Sequence, residues 1–301
     1  MITPHNAAAV GMFDGVHRGH CDILDTILTH ATGSGGRPVV LTFAGHPLSQ
    51  LRPADAPPLL TTAAEKEALI REHLPTADVR MLDFNEARGI PAEEFLRRLR
   101  DDLDVGTMVM GYDNRFGCDG PRDRRSYDEL GERLGVRVVH VAPLRIDSTT
   151  ASSSELRRLI SGGLTEKAAD MLGRRYSVGG TVAHGRKLGR TIGFPTANLS
   201  PDPCKLLPAT GVYAATASVD GIGTFPAMVN IGHRPTVDRT SDAPLSIEAH
   251  LIGADADMYD RRMVISFVRR LRDERTFASV DELASQLAAD RENAIRTLTK
   301  K

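Results

Sequence analysis

The sequence predicts an α/β domain on a Rossmann-like parallel sheet, followed by a small antiparallel β-barrel with a helix at its C-terminal end. Three observations predict it. Up to residue 172, short apolar runs alternate with stretches of helical spacing, the pattern of a parallel sheet covered on both faces. From residue 173 onward, strand-like runs follow one another with turn residues between them and no helical pattern, which favours antiparallel pairing in a barrel. At 301 residues the chain is long enough for two ordinary domains, expected at 1–172 and 173–301.

The elements follow in order. Residues 7–10 form a short apolar run of buried-strand type; Gly11 and Gly15 break it, and residues 21–28 resume with helical spacing. Residues 38–43 read as a second buried strand, and Thr62 with Glu65 forms a capping box ahead of a helix carrying Leu69, Ile70 and Leu74. Residues 79–84 are expected as a strand, and Pro91 as the first helical position before Phe95, Leu96 and Leu99. Residues 105–110 and 136–141 complete the apolar strands, and a serine cluster at 152–154 opens a further helix. After a short helix at 164–172 come strands at 176–182, 211–219, 224–230, 246–251 and 263–271. Ser279 and Glu282 cap the closing helix, whose stripe of Leu283, Leu287 and Ile295 is expected to pack on the barrel.

Composition excludes several classes. With 38 basic and 39 acidic residues the net charge is -1, so nothing drives the chain toward nucleic acid or an anionic membrane, and any phosphate binding must be local. Cys21, Cys118 and Cys204 are scattered and odd in number, against a disulfide framework or zinc; they are expected as buried thiols in a reducing cytosol. No signal-length apolar stretch or membrane span is present, so the protein is expected to be cytoplasmic, with no membrane and no obligate protein partner.

Two stretches carry chemistry. In the first, Gly11 to His20, His17 and His20 fall three apart at a strand-to-helix turn, so their imidazoles share a direction. Gly19 between them lets a ligand approach the backbone, and the N–H groups of the helix start add a positive pole suited to phosphate. Two histidines alone are more often surface residues or part of a metal site, but no His-Glu-x-x-His or paired-cysteine pattern accompanies them. Asp113 and Arg115 directly follow a buried strand, where sheets of this kind bind ligands; His17, His46 and Asp113 are expected to gather there. The second stretch, 180–198, is glycine-rich but is not a Walker A loop. In extended backbone Thr196 and Asn198 project to one side as two neutral oxygen ligands, too few to compensate Mg²⁺ unless nucleotide phosphates share it.

The segment Gly-Met-Phe-Asp-Gly-Val-His-Arg-Gly-His resembles the His-x-Gly-His signature of the nucleotidyltransferase superfamily. Its Phe-Asp-Gly-Val-His form is similar to that of the prokaryotic bifunctional riboflavin kinase/FAD synthetase family. Further motifs carry the resemblance in the expected order. Gly111-Tyr-Asp113-Asn114-Arg115-Phe-Gly is similar to Gly-x-Asp-Phe-Arg-Phe-Gly, with Asn114 in place of Phe, and Ser152-Ser153-Ser154-x-Leu-Arg157 is similar to Ser-Ser-Thr-x-Ile-Arg. Gly189-Arg190-Thr-Ile192-Gly193-Phe-Pro-Thr196-Ala-Asn198 resembles the riboflavin kinase signature with Ile192 for Leu. Residues 230–236 resemble its Asn-x-Gly-x-x-Pro-Thr loop, and Glu248-Ala-His250 its catalytic-base position.

The resemblance implies two activities, riboflavin to FMN in the C-terminal module and FMN to FAD in the N-terminal one, with ATP as co-substrate and Mg²⁺ as cofactor. It implies ATP and phosphate contacts at Phe13, Asp14, Gly15, His17, Gly19, His20, Gly111, Asp113, Arg115, Ser153, Ser154 and Arg157, with His17 and His20 catalytic through charge stabilisation. In the kinase it implies ATP contacts at Gly185, Lys187, Gly189, Arg190, Gly193, Thr196, Asn198 and Asn230, metal ligation by Thr196 and Asn198, Glu248 as base and Arg272 against the flavin. Only ten residues precede Gly11, fewer than is usual in the family, which leaves the expectation that the sheet lacks an initial edge element.

Overall fold

A computed structural model describes residues 5–120, 123–184, 192–233 and 245–299. Gly185, Lys187, Gly189 and Arg190, and residues 234–236, lie outside the described residues. The chain divides into two compact units, Met1–Glu155 and Leu156–Lys301.

In the first unit the strands are β1 (Asn6–Val10), β2 (Pro38–Phe43), β3 (Asp78–Leu82), β4 (Val105–Met110) and β5 (Arg137–His140). They pair in parallel in the order β3-β2-β1-β4-β5. β1 is the central strand of this sheet, and β3 and β5 form its edges. Strand residues alternate between faces, and both faces are covered. Ala7, Ala9, Val40 and Val109 pack under helices α1 (Arg18–Ser34) and α3 (Ala63–His73) through Leu24, Ile27 and Ile70. Ala8, Val10, Leu41 and Met108 pack under α5 (Ala92–Leu103) and α6 (Arg124–Leu134) through Leu96 and Tyr127. Strand order reverses between β1 and β4, and the crevice at their carboxyl ends is the place such sheets bind ligands.

Short helices α2 (Pro47–Leu51) and α4 (Phe84–Ala87) follow β2 and β3. The expected strand at 79–84 stops at Leu82, because the Asp83 carboxylate accepts the Asn85 N–H at 2.8 Å and starts α4 at Phe84. Pro91 is the N-cap of α5 rather than its first residue. The box at Thr62 and Glu65 is present in both directions. A two-stranded ribbon, β6 (Arg145–Ile146) and β7 (Thr149–Thr150), leads into α7 (Ser153–Ser161).

In the second unit α8 (Thr165–Leu172) precedes a closed antiparallel barrel of β8 (Ser177–Ala183), β9 (Ala197–Pro201), β10 (Gly211–Val219), β11 (Gly223–His233), β12 (Leu245–Leu251) and β13 (Arg262–Arg272). β9 is the strand the pattern missed: only Leu199 in it is buried, so it has no apolar alternation to read. Helix α9 (Val280–Thr299) packs on Val212, Ala214 and Met228. Of the expected stripe Leu287 packs there with Ala294 and Leu298, and Leu283 lines the adjoining cavity, but Ile295 is 39% exposed while Asp290, only 2% exposed, takes a place on the buried face. The expected burial of the cysteines also fails: Cys118 and Cys204 sit exposed in turns and Cys21 is half-buried, all as free thiols. Among the described residues no helix is long and apolar enough to cross a membrane.

Candidate active sites

The first site is built by the loop joining β1 to α1. Gly15 takes φ +85°, and Phe13 and Val16 adopt the left-handed region at φ 47° and 39°, a strain of about 1–3 kcal/mol each that only a well-anchored loop sustains. The anchor is Asp14. It is 1% exposed, and its carboxylate accepts the N–H groups of Leu60 and Thr61 and the Thr61 hydroxyl at 3.0–3.1 Å, while Gly15 N–H donates to the Thr61 oxygen. The Asp14 carboxylate thereby anchors the loop, each of its two oxygens taken up by donors from residues 60 and 61.

His17 is the N-cap of α1: its Nδ1 accepts the His20 N–H at 3.2 Å, which leaves Nε2 as the donor of the neutral ring. The two imidazoles stack 3.6 Å apart at 17°, so they do share a direction, and the Phe13 ring lies 5.2 Å from His20. A Cβ on Gly19 would stand 3.3 Å from the His17 ring, so its absence makes room for that imidazole as well as for a ligand.

The start of α7 faces the same cavity. About 150 Å³ is enclosed between His17, Gly19 and His20 on one side and Ser152, Ser153 and Ser154 on the other, with Gly111 and Asp113 between. Ser152 Oγ accepts the Glu155 N–H, whereas Ser153 Oγ donates to the Asp14 carbonyl at 2.8 Å and so ties the two helix starts together. Ser154 lines the cavity; Arg157 lies one turn further along the helix, in the second unit. A second cavity of about 600 Å³ shares His20, Asp113 and Ser153 and runs on between Phe43, Phe84, Phe95 and Phe116, with Arg88 and Arg115 among its lining. Asn114 donates from Nδ2 to the Val10 carbonyl, closing its loop on the end of β1. His46 accepts the Leu48 N–H and caps α2, which accounts for it without a ligand.

The second site is assembled by strand register. Arg272 pairs with Val212, Val212 with Asn230, Asn230 with Glu248 and Glu248 with Asn198. Directly opposed residues share a face, so side chains from five strands form one row. Thr196, two residues before Asn198, joins that face. A cavity of about 320 Å³ collects Thr196, Asn230, Glu248 and Arg272 against an apolar wall that includes Phe194, Met228, Phe277 and Leu287. A neighbouring cavity of about 770 Å³ shares Thr196 and is bordered by residues 254–259. His250, unassigned by the sequence reading, makes a 2.9 Å hydrogen bond from Nδ1 to the Pro195 carbonyl and meets Phe194 edge-on at 5.3 Å, fixing the turn that presents Thr196.

Arg272 is more constrained than a free ligand contact. Nε and Nη2 bind Asp290 at 2.9 and 2.7 Å, and Nη1 donates to the Asp273 carbonyl. An acid within the contact stripe of the closing helix was the available signal for this pair.

No group of three or more His, Cys, Asp or Glu suited to a metal occurs among the described residues. Thr196 lines the cavities at the barrel site and Asn198 stands in the register row opposite Glu248, so the oxygen donors offered there are two neutral side chains and one carboxylate. That set fits a hard cation whose charge is met mainly by phosphates.

Together these features place two cavities lined in part by polar side chains on the chain, one at the switch point of a parallel sheet and one on a barrel face, the arrangement of a two-domain group-transfer enzyme. A model described as FAD synthetase matches residues 2–155, and one described as riboflavin kinase matches residues 172–298. The bifunctional riboflavin kinase/FMN adenylyltransferase of Pseudomonas fluorescens is 35% identical over 94% of this chain and 90% of its own length. That of Bacillus subtilis (strain 168) is 34% identical over 96% and 91%. A solved Streptococcus pneumoniae chain described as a macrolide-efflux protein superposes with a TM-score of 0.86 at 29% identity, covering 97% of this chain and 94% of that one. The chain belongs to the bifunctional riboflavin kinase/FMN adenylyltransferase family, with the FAD synthetase part N-terminal and the kinase part C-terminal.

Proposed function

We propose that the two centres divide the family's two reactions, the barrel site phosphorylating riboflavin and the switch-point cleft adenylylating FMN. The observation that carries this is the register row, which sets Glu248 between Asn198 and Asn230 beside an apolar cavity able to take a flavin ring.

In the kinase, Glu248 accepts the proton of the riboflavin terminal hydroxyl as that oxygen attacks the γ-phosphorus of ATP. Thr196 and Asn198 would hold Mg²⁺ together with the nucleotide phosphates, and the cation supplies charge neutralisation on the transferred group. Phe194 and Phe277 sandwich or flank the flavin, Asn230 orients the reacting end, and Arg272 borders the flavin while clamped to Asp290.

In the adenylyltransferase, an FMN phosphate oxygen attacks the α-phosphorus of ATP; the new P–O bond forms as the bond to pyrophosphate breaks. The attacking group is already an anion, so positioning and charge stabilisation suffice. His17 Nε2, His20, Ser154 and the backbone N–H groups of the α1 start face the triphosphate, with Arg157 adding a planar donor. The larger aromatic cavity takes the isoalloxazine of FMN, and Arg115 stands at its mouth.

The functional boundary is drawn at residues 172/173, since Ser153, Ser154 and Arg157 on α7 serve adenylyl transfer. With ATP as donor at both centres, the enzyme is read as cytoplasmic, acting on riboflavin, FMN and ATP without nucleic acid, membrane or an obligate partner.

The test is a pair of variants. Glu248→Gln is expected to abolish FMN formation and keep FAD formation from added FMN; His20→Ala is expected to do the reverse. Equal loss of both activities in either variant contradicts the division.

A further inference from the structure

Lys66 is the one lysine among the described residues with 0% exposure, and it lies in neither site. It belongs to the first turn of α3, five residues beyond Thr61 of the segment that anchors the phosphate loop. Its Nζ donates to the Phe43 carbonyl at 2.5 Å, at the carboxyl end of β2. Burial pushes its ammonium down to about 8, while the nearby Asp14 carboxylate pulls the other way. Burying an ammonium is costly, and a position that only needed filling would be served by Leu or Met.

Both partners of Lys66 belong to elements that shape the N-terminal cleft. Phe43 and Phe13 line the larger cavity, and Asp14 carries the loop between Phe13 and Val16 with its two left-handed residues. A direct link runs from Thr42 Oγ to the Met12 carbonyl at 3.0 Å, so the end of β2 is bonded to the start of the loop there and, at the next residue, to a lysine that feels the charge of the loop's Asp14. We propose that Lys66 is a positioning residue for adenylyl transfer: by holding the Phe43 carbonyl while facing the Asp14 carboxylate, it fixes the phosphate loop against the aromatic cavity so that nucleotide and flavin meet in line. Lys66 touches neither substrate. A shift of the loop by about 1 Å relative to the cavity is enough to cost on the order of 10²-fold in rate.

The inference rests on assigning adenylyl transfer to the first unit, so the experiment separates the two. The full-length chain and its Lys66→Met and His20→Ala variants are assayed for FAD formation from FMN and ATP and for FMN formation from riboflavin. Thermal unfolding of each is followed in parallel. For Lys66→Met the expected result is a fall in kcat for FAD formation on the order of 10²-fold, with KM for FMN changed less than about threefold. FMN formation should be unchanged, and the unfolding temperature at pH 7 should not fall, since the substitution removes the cost of a buried charge. An undiminished FAD rate in Lys66→Met overturns the positioning role while leaving the assignment of the reaction intact, provided His20→Ala has lost FAD formation. Loss of FAD formation only in proportion to lost folded protein also overturns it. The double variant Asp14→Asn/Lys66→Met, which removes both buried charges, guards against a folding failure. Stable protein that still makes FAD slowly supports the proposal, and full recovery of the rate contradicts it.

Discussion

The switch-point cleft and the barrel site, each proposed to hold a nucleotide against a flavin, are built by opposite means. In the cleft, most of the polar lining comes from one loop and two helix starts, and the decisive geometry is local: three residues of one loop with positive φ, a capping histidine and an anchored aspartate. In the barrel the contacts come from strands spread between residues 196 and 272, brought together only by register. A local site is vulnerable to backbone strain and loop anchoring; a register site is vulnerable to whatever holds its strands and covering helix in place.

The largest effect that sharpens this contrast is at the barrel. Glu248→Gln keeps the shape of the row but removes the proton acceptor, and kcat for FMN formation should fall about 10²–10⁴-fold with little change in KM. A loss confined to KM would mean that the carboxylate only binds. Next comes the clamp on α9. Asp290→Ala strands the Arg272 guanidinium, with an expected cost of about 3–5 kcal/mol to the second unit and a weaker hold on riboflavin. Denaturant unfolding of the variant checks it; an unchanged midpoint would show that the helix is held by its apolar stripe alone.

In the cleft the expected effects on stability are smaller. Folded Lys66 releases its proton near 8 against 10.5 when unfolded, so between those values the unfolded chain binds more protons and stability rises with pH. Below about 8 the full cost of the buried charge is present. Across the window the first unit should gain up to roughly 3 kcal/mol, a rise that Lys66→Met lacks; parallel unfolding curves from pH 7 to 10.5 would contradict it. Smallest is Gly15→Ala. At φ +85° the new methyl strains the loop by about 1 kcal/mol, lowering FAD formation with no effect on FMN formation.

The same contrast governs how much could be read in the sequence. Elements with a clean apolar period, β2, β4 and β10, fall on the residues expected, because burial on both faces or on one leaves an unbroken pattern. β9 escaped because it is mostly half-exposed, and the stripe of α9 was read correctly at Leu283 and Leu287 but not at Ile295, because the buried face also contains Asp290, a charge made tolerable by Arg272. Motif residues such as His17, Ser153 and Glu248 could be singled out, but not what each side chain is tied to. Ser153 proved to be bonded to the Asp14 carbonyl, the Asp14 carboxylate to residues 60 and 61, and Arg272 to a helical aspartate eighteen residues on, because hydrogen-bond partners across a fold leave no local periodicity.

The central claim is that one chain carries two separable centres, and a complementation assay tests it most directly. Glu248→Gln and His20→Ala proteins are each incubated with riboflavin and Mg-ATP, then mixed, and riboflavin, FMN and FAD are followed by chromatography. Separable centres predict no FAD from either variant alone, FMN accumulating with His20→Ala, and FAD appearing on mixing. FAD from either variant alone, or none from the mixture, would contradict it.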